Sequence, residues 1–497
     1  MKLFNLITYL TICCVYQIYA QELPTVKLFS EANYDVASQN WTISQAKNGN
    51  VYVANNKGLL EFNGTKSTLY PTPNETIMRS VKVVKDLIFT GFYMDFGYWT
   101  NDEFGNLHYT SITKNHQVDI LEDEQFWTII EIDGWILFQS LQRIYLYNLK
   151  TEAIKIIDSE TSITKMFKVA DVIYFQQVNK GIYKIEEGVS KPLYLNGIAK
   201  DSKIVLMSEQ DDRLVIVTSD KGIYTVDDNN FLPYNSVVNQ QLKHKTVYSG
   251  VQLEKKAFVL GTISHGLLYI DIDGSTSFEI NRKNTLINNT VLAVFEDQRK
   301  NLWLGLDDGI GVVNLDSPFR IHKDFSGSLG TVYTSKLFNN TLFLGTNQGL
   351  FFKPYKSKEE FQMVQGTQGQ VWALKEIKGE LLCGHDSGTY LISQNQARQI
   401  SKIPGSWNFK VLNDTTIVQG NYSGLHVLYK TNDIWRYSHK IKGFDNSSRY
   451  FEFVNKNLVL VNHEYKGIFK LKLSNTLKEV TEVCKDTTVN RGLHSSL

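Results

Sequence analysis

The chain has 497 residues, 42% hydrophobic and 21% charged, so it can build large cores and does not have the make-up of a disordered chain. Fifty-two basic side chains against fifty-one acidic ones leave no excess for a phosphate backbone or an anionic membrane, so no nucleic acid is expected as a partner. Aromatic residues at 12% with only eight prolines favour strands over Pro-rich linkers.

Residues 1–20, MKLFNLITYLTICCVYQIYA, carry one positive side chain, Lys2, followed by an uncharged apolar stretch that ends at Ala20. This reads as a secretory signal peptide, and Thr8, Thr11 and Gln17 make it short and polar for a permanent span. Cys13 and Cys14 fall in its apolar core, which leaves Cys383 and Cys484 in the exported chain. Two cysteines so far apart make neither a disulfide framework nor a zinc spacing. Cys383, in the apolar run ELLCG, reads as a small buried side chain.

From residue 50 one pattern repeats: an apolar strand, a short polar turn ending in Gly, and a second apolar strand. It appears as NVYVANNKGLLEFNG around Gly58 and LIFTGFYMDFGYWTND around Gly97, then degenerates in WILFQSLQRIYLYN, where Arg143 replaces the glycine. It returns as VIYFQQVNKGIYKIEEG around Gly181, RLVIVTSDKGIYTVDD around Gly222, AFVLGTISHGLLYIDIDG around Gly266 and NLWLGLDDGIGVVNLDSPF around Gly309. Four more copies surround Gly349, Gly388, Gly424 and Gly467, giving eleven copies spaced 36 to 46 residues apart.

The turn glycine suits a hairpin connection that needs positive φ. The flanking runs are too short for helices and rich in β-branched and aromatic residues, so they are strands. Several, such as VYVA and LWLG, are apolar on both faces, which places each small sheet between two neighbours; Trp303 in LWLG reads as core. A period near 40 residues allows about four strands per copy, the signature of a β-propeller.

Sixteen to eighteen residues before each turn position another strand begins, often with a large side chain. This register holds Trp41, Arg79, Trp127, Lys165, Leu206, Tyr248 and Leu292, then Tyr333, Trp372, Trp407 and Tyr450. The first strand of a propeller blade lies nearest the axis, so these residues are expected around one mouth of a central channel. Packing of the same rings between neighbouring blades is the competing expectation.

The stretch NLWLGLDDGIGVVNLDSPF resembles the two-component regulator propeller repeat, and NNKGLLEFNG and GTVYTSKLFNNTLFLGTNQGLFF are similar to the exported sensors of Bacteroidetes that carry it. The resemblance spans nearly all of the mature chain and rests on repetition, with the Arg143 copy departing from the pattern. It implies two seven-bladed propellers before a three-tyrosine domain, a membrane span and a cytoplasmic output of LuxR type or a histidine kinase. It also implies a periplasmic ectodomain whose ligand is an extracellular glycan or other small molecule, with regulation of transcription as the output.

Seven copies end at LDSPF, where Pro318 cannot continue a strand ladder. The expected organisation is therefore all-β: signal peptide 1–20, one complete seven-bladed ring over 21–316, and an incomplete second ring of about four blades over 317–497. TVKLFS, residues 25–30, is expected to supply the outer strand of the seventh blade. Membrane attachment would come only from a C-terminal span outside this sequence.

No G-x-S-x-G, H-E-x-x-H or GxxxxGK[ST] motif appears, and no cofactor or metal is expected. DIDGSTS at Asp271 lacks the later ligands of a calcium loop. Asp307 and Asp308 read as a polar turn between strands, so the chain is not expected to be an enzyme. The leading expectation is a ligand-sensing region in which Trp41, Trp127, Tyr248, Tyr333, Trp372, Trp407 and Tyr450 offer ring faces to sugars while Arg79 and Lys165 read acidic groups. The alternatives are a protein-interaction scaffold, including a homodimer, and a hydrolase or lyase built from dispersed loops.

Overall fold

The computed structural model describes residues 22–30, 37–486 and 488, apart from 65, 196, 228, 229, 235, 323, 325, 326 and 358; the expected signal peptide lies outside the described residues. The described chain divides into two units, Glu22–Ile321 and His322 onward, a few residues past Pro318. Each is all-β and propeller-like, built from small antiparallel sheets, ten of four strands and one of five. There is one sheet for each repeat copy.

Sheets 1 to 7 open with the strands Asn40–Gln45, Met78–Val84, Thr128–Ile132, Ile163–Val169, Ile204–Gln210, Val247–Gln252 and Val291–Glu296. Sheets 8 to 11 open with Val332–Phe338, Val371–Ile377, Asn408–Asn413 and Tyr450–Asn455. Within a sheet the strands follow one another in chain order, except that Glu22–Phe29 joins sheet 7, whose last member is the short Arg320–His322. Three helices, Ile112–Asn115, Ile198–Asp201 and Ser236–Leu242, interrupt the links from sheets 2, 4 and 5 to their successors. The repeat pattern gave no sign of them.

The cores lie between sheets. Second strands such as Val51–Asn55, Phe258–Thr262 and Thr416–Asn421 are buried at every position, which accounts for their lack of apolar–polar alternation. Met78, Ile88 and Phe92 of sheet 2 pack on Tyr52, Ala54 and Leu59 of sheet 1, and each later pair of sheets in the first unit repeats this arrangement. A further cluster joins Ala293 and Ile310 of sheet 7 to Ile43, Val51 and Leu60 of sheet 1. The opening strand of every sheet in this unit touches that of the next, and Val291–Glu296 touches Asn40–Gln45.

Side chains tie the same junction. Asn40 Nδ2 donates to the Gly309 carbonyl at 2.8 Å, and Gln39 Nε2 donates to Asp307 Oδ1 at 2.6 Å. Asp307, read from sequence as a turn residue, thus fastens sheet 7 to the loop before sheet 1. The strand Glu22–Phe29 pairs antiparallel with Ile310–Asn314, from Thr25 opposite Asn314 to Phe29 opposite Ile310. TVKLFS therefore takes the fourth place in the last sheet of the unit, with the short Arg320–His322 strand outside it.

The glycine reading holds for the turn at Gly58, where φ is 140° and a Cβ would lie 2.2 Å from the Tyr70 carbonyl oxygen. It fails at Gly97, which sits within the strand Asp95–Asn101 without positive φ. There glycine is required because a Cβ would meet the Thr110 carbonyl at 2.1 Å. Gly349 likewise lacks a positive φ.

Candidate ligand-binding site

The expected site residues occupy an unusual backbone position. In sheet 1 the ladder passes from the pair Asn40–Asn55 to Thr42–Ala54, so Trp41 has no cross-strand partner. Arg79, Tyr248, Leu292, Tyr333 and Trp372 are skipped in the same way, and Lys165 lies in a two-residue irregularity between Ile163 and Met166. Such a bulge turns the extra residue out of the ladder and re-aims its side chain. The residue after it is small and faces the neighbouring sheet: Ser80 Oγ donates to the Phe126 carbonyl at 2.7 Å, and Ser249 Oγ to that of Val291 at 2.8 Å. Sheet-to-sheet packing thereby pins the bulge.

The register is corrected in two sheets. In sheet 5 the skipped residue is the buried Val205, one position before Leu206. Leu292 does occupy the bulge of sheet 7, but it is buried in the core. Trp127 and Trp407 come just before their strands, each donating its backbone N–H at 2.8 Å, to Gln139 and Gly420. Tyr450 opens its strand opposite Asn462.

In the first unit these positions converge. The rings of Trp41 and Trp127 stand edge to face, 5.9 Å apart, and the Arg79 guanidinium lies 4.3 and 4.5 Å from their centroids. Arg79 Nε donates to Gln125 Oε1 at 2.8 Å, and Trp41 Nε1 to Asn56 Oδ1 at 2.7 Å. Trp127 Nε1 is buried with no acceptor. Tyr248 lies close enough to Arg79 for each to perturb the other, and the Lys203 ammonium is 5.6 Å from the Tyr248 ring. Lys203 in turn repels Lys165. Burial lowers the pKa of Arg79, raises that of Tyr248, and pushes Lys165 down to about 8 with the help of Lys203. Lys165 itself is half-buried.

This depression has a measurable sign. Unfolded Lys165 titrates near the ordinary lysine value of 10.5, the folded residue near 8. The unfolded state therefore holds more protons between these values, and the Lys165 contribution to stability rises with pH across the window. Lys165→Met should be more stable than the wild type at pH 7, with the gap narrowing toward pH 10 in urea unfolding. A constant gap would mean that Lys165 is not desolvated.

The second unit repeats the arrangement with more aromatic surface. Tyr333 stacks on Trp372 at 5.0 Å, Trp372 meets Trp407 at 4.4 Å, and Trp407 meets Tyr422 at 5.2 Å. Trp372 Nε1 donates to the Tyr422 hydroxyl at 3.2 Å. Arg449 lies 4.7 Å from the Trp407 ring and 5.1 Å from that of Tyr450, and pairs with Glu464 at 3.4 Å. Trp407 Nε1, like Trp127 Nε1, is buried without a partner. These rings pack across adjacent sheets, the competing expectation, and Tyr333 still keeps 44% of its surface exposed.

Lys203, Gln125, Arg449 and Tyr422 escaped the sequence reading. Lys203 and Arg449 immediately precede an opening strand, so a search one residue upstream would have found both.

Away from these clusters, Trp303 departs from its expected core position. It is half-buried, 5.5 Å from Phe62, and donates Nε1 to Asp297 Oδ2 at 3.0 Å on the wall of a cleft of about 830 Å³ between sheets 1 and 7. The sequence His385-Asp386-Ser387 could suggest a proton relay. Asp386 and the Ser387 hydroxyl both approach Nδ1 of His385, while Nε2 faces the Thr367 carbonyl, so the three do not form one. Among the described residues no helix is long and apolar enough to cross a membrane.

No family model and no curated protein matches the chain by sequence. Among solved structures, the extracellular domain of a B. thetaiotaomicron protein named as a hybrid two-component system aligns with TM-score 0.71 at 15% identity, covering 93% of this chain and 67% of that one. The two share a fold. The extracellular domain of a protein named as a one-component system from the same organism gives TM-score 0.46 at 16% identity, over 94% of this chain and 67% of its own. A streptogramin B lyase gives 0.44 at 14% identity, over 59% of this chain and 98% of its own. The likeness in fold takes in residues of both units, since it covers 93% of the chain.

Proposed function

We propose that this chain is the extracytoplasmic ligand-sensing region of a transmembrane signalling or transcription regulator. Residues 1–20 are its export signal, 21–316 form a closed seven-bladed ring, and 317–497 contribute four blades of a second ring. The cyclic contacts of the seven opening strands and the Glu22–Phe29 strand in sheet 7 support the closed ring. Exposure of Val332, Leu337, Val411 and Val454 on opening strands of the second unit supports a part-ring there. The shared fold with a two-component-system extracellular domain supports an exported, periplasmic location.

The observation that carries the sensing role is the convergence, in each unit, of aromatic residues at the start of opening strands on an arginine, beside an indole N–H with no acceptor. Buried donors left unpaired are destabilising, so a ligand oxygen that reaches them is favoured. The ligand is a small extracellular molecule, with carbohydrate the first candidate, and its binding alters how copies of the ectodomain associate.

The test is a thermal-shift screen of the described chain against oligosaccharides. Ligand that binds only the folded state should raise the melting temperature with its concentration. A saturable rise that is lost in Trp41→Ala or Trp407→Ala supports the reading. The absence of a shift with any sugar would discard carbohydrate and turn attention to the scaffold alternative.

A further inference from the structure

Three cations meet in the first unit without a carboxylate. Arg79 and Lys203 both lie beside Tyr248, Lys165 lies within reach of the Lys203 charge, and among the described residues none of the three forms an ion pair. Elsewhere the chain neutralises partly buried cations with care: Arg143 meets Asp158 at 2.7 Å, Lys430 meets Glu380 at 2.8 Å, and Arg449 meets Glu464. With 52 basic and 51 acidic side chains overall, a local excess of three does not reflect composition. Gathering like charges, Arg79 and Lys165 half-buried and Lys203 at the surface beside them, is unfavourable unless something of opposite sign joins them.

The groups are also poised for an anion. The Arg79 guanidinium sits in the corner made by the two perpendicular indoles and Gln125 takes its Nε–H, which orients its Nη donors as a planar fork suited to two oxygens at once. The Tyr248 phenol, its pKa raised by burial, stays protonated and able to donate. Trp127 Nε1 offers a further donor without an acceptor. Arg79 engages the ring of each of the two indoles, so charge joins ring stacking in recognition at this unit.

We propose that the first unit holds an anion site in which Arg79, Lys165 and Lys203 bind the carboxylate or sulfate of an acidic saccharide. This rests on the reading of the chain as a sugar sensor and adds the charge of the ligand to it. The second unit, whose arginine is already paired with Glu464, has no such demand and accepts neutral ligands.

Calorimetric titration of the described chain at low salt tests this with four probes: a neutral disaccharide, a uronate-containing disaccharide, a sulfated disaccharide and inorganic sulfate. The acidic sugars should bind with an affinity that falls as salt rises. Arg79→Gln should weaken them at least tenfold, and Lys150→Gln, at an exposed turn outside both clusters, should leave them unchanged. Lys203 is exposed, so Lys203→Gln should fold normally and still weaken binding several-fold, which guards against loss of the Arg79 variant through misfolding. Arg79→Lys keeps the charge without the fork and should fall between.

Equal binding of neutral and acidic sugars, unaffected by Arg79→Gln, would overturn the anion site and leave the sugar-sensing role standing. Binding of sulfate alone, still dependent on Arg79, would keep the anion site and remove the saccharide. If no probe bound the wild-type chain, the proposal would fall.

Discussion

Gly420→Ala is expected to destabilise the second unit by about 3 kcal/mol, lowering its melting temperature by roughly 10 °C. Gly420 lies in the strand Thr416–Asn421, where a Cβ would come 1.9 Å from the Ser448 carbonyl oxygen and 2.9 Å from the Phe451 ring. Neither neighbour can yield easily. The Ser448 N–H is bonded to the Asn421 carbonyl at 3.0 Å, and Phe451 is buried in the core between sheets 10 and 11. The substitution therefore wedges two sheets apart. Gly379→Ala in the same unit is the control: Gly379 has φ of 76° but nothing within 4 Å of a Cβ, so it should lose only the left-handed backbone preference, about 1 kcal/mol. Equal losses at the two sites would show that strand glycines are not packing devices here.

The same position shows where the sequence reading stopped. A second glycine recurs four residues ahead of the turn glycine at Gly305, Gly345, Gly384 and Gly420, and in each case a Cβ would strike the opening strand of the next sheet or its approach. The periodicity that revealed eleven copies depended on the turn glycines, because hairpin turns are read from local chemistry. The strand glycines answer to partners well outside the local pattern: Val371 for Gly345, Ser406 for Gly384, Ser448 for Gly420 and, at the other end of the unit, Asn40 for Gly305.

The site was legible to a similar depth. Large residues at the start of each opening strand stood out at once, and Trp41, Arg79 and Trp127 do meet. The bulges that present Trp41 and Arg79 left no mark, because one unpaired residue does not disturb alternation in so short a strand. Nor could composition show that Glu464 neutralises Arg449 while Arg79 has no carboxylate, since ion pairs are formed in space. The register thus located candidate residues, and only the coordinates separated a charged cluster from a largely aromatic one.

Removing residues 22–29 should lower the melting temperature of the first unit by more than about 10 °C and leave it prone to aggregate. The strand contributes Leu23, which is 1% exposed in the core of sheets 6 and 7, together with the partly buried Val26, Leu28 and Phe29. Returning these side chains to water costs roughly 5 kcal/mol, and a unit of this size responds by about 2–4 °C per kcal/mol. The effect on the edge is as important as the lost contacts. Without Glu22–Phe29, the strand Ile310–Asn314 exposes a ladder of unpaired backbone groups, a template for pairing with another chain. Because this strand comes from the start of the unit and its partner from the end, it draws the two ends together, and its loss leaves the apolar cluster of sheets 7 and 1 and hydrogen bonds such as Asn40–Gly309 and Gln39–Asp307 to hold them. A synthetic peptide ELPTVKLF added to the shortened protein should restore part of the lost stability in proportion to its concentration, through the same ladder. Unchanged melting after removal would mean that the ring is held by its inter-sheet cores alone. If the shortened chain is destabilised and the peptide fails to rescue it, covalent linkage of the two ends matters more than the strand itself.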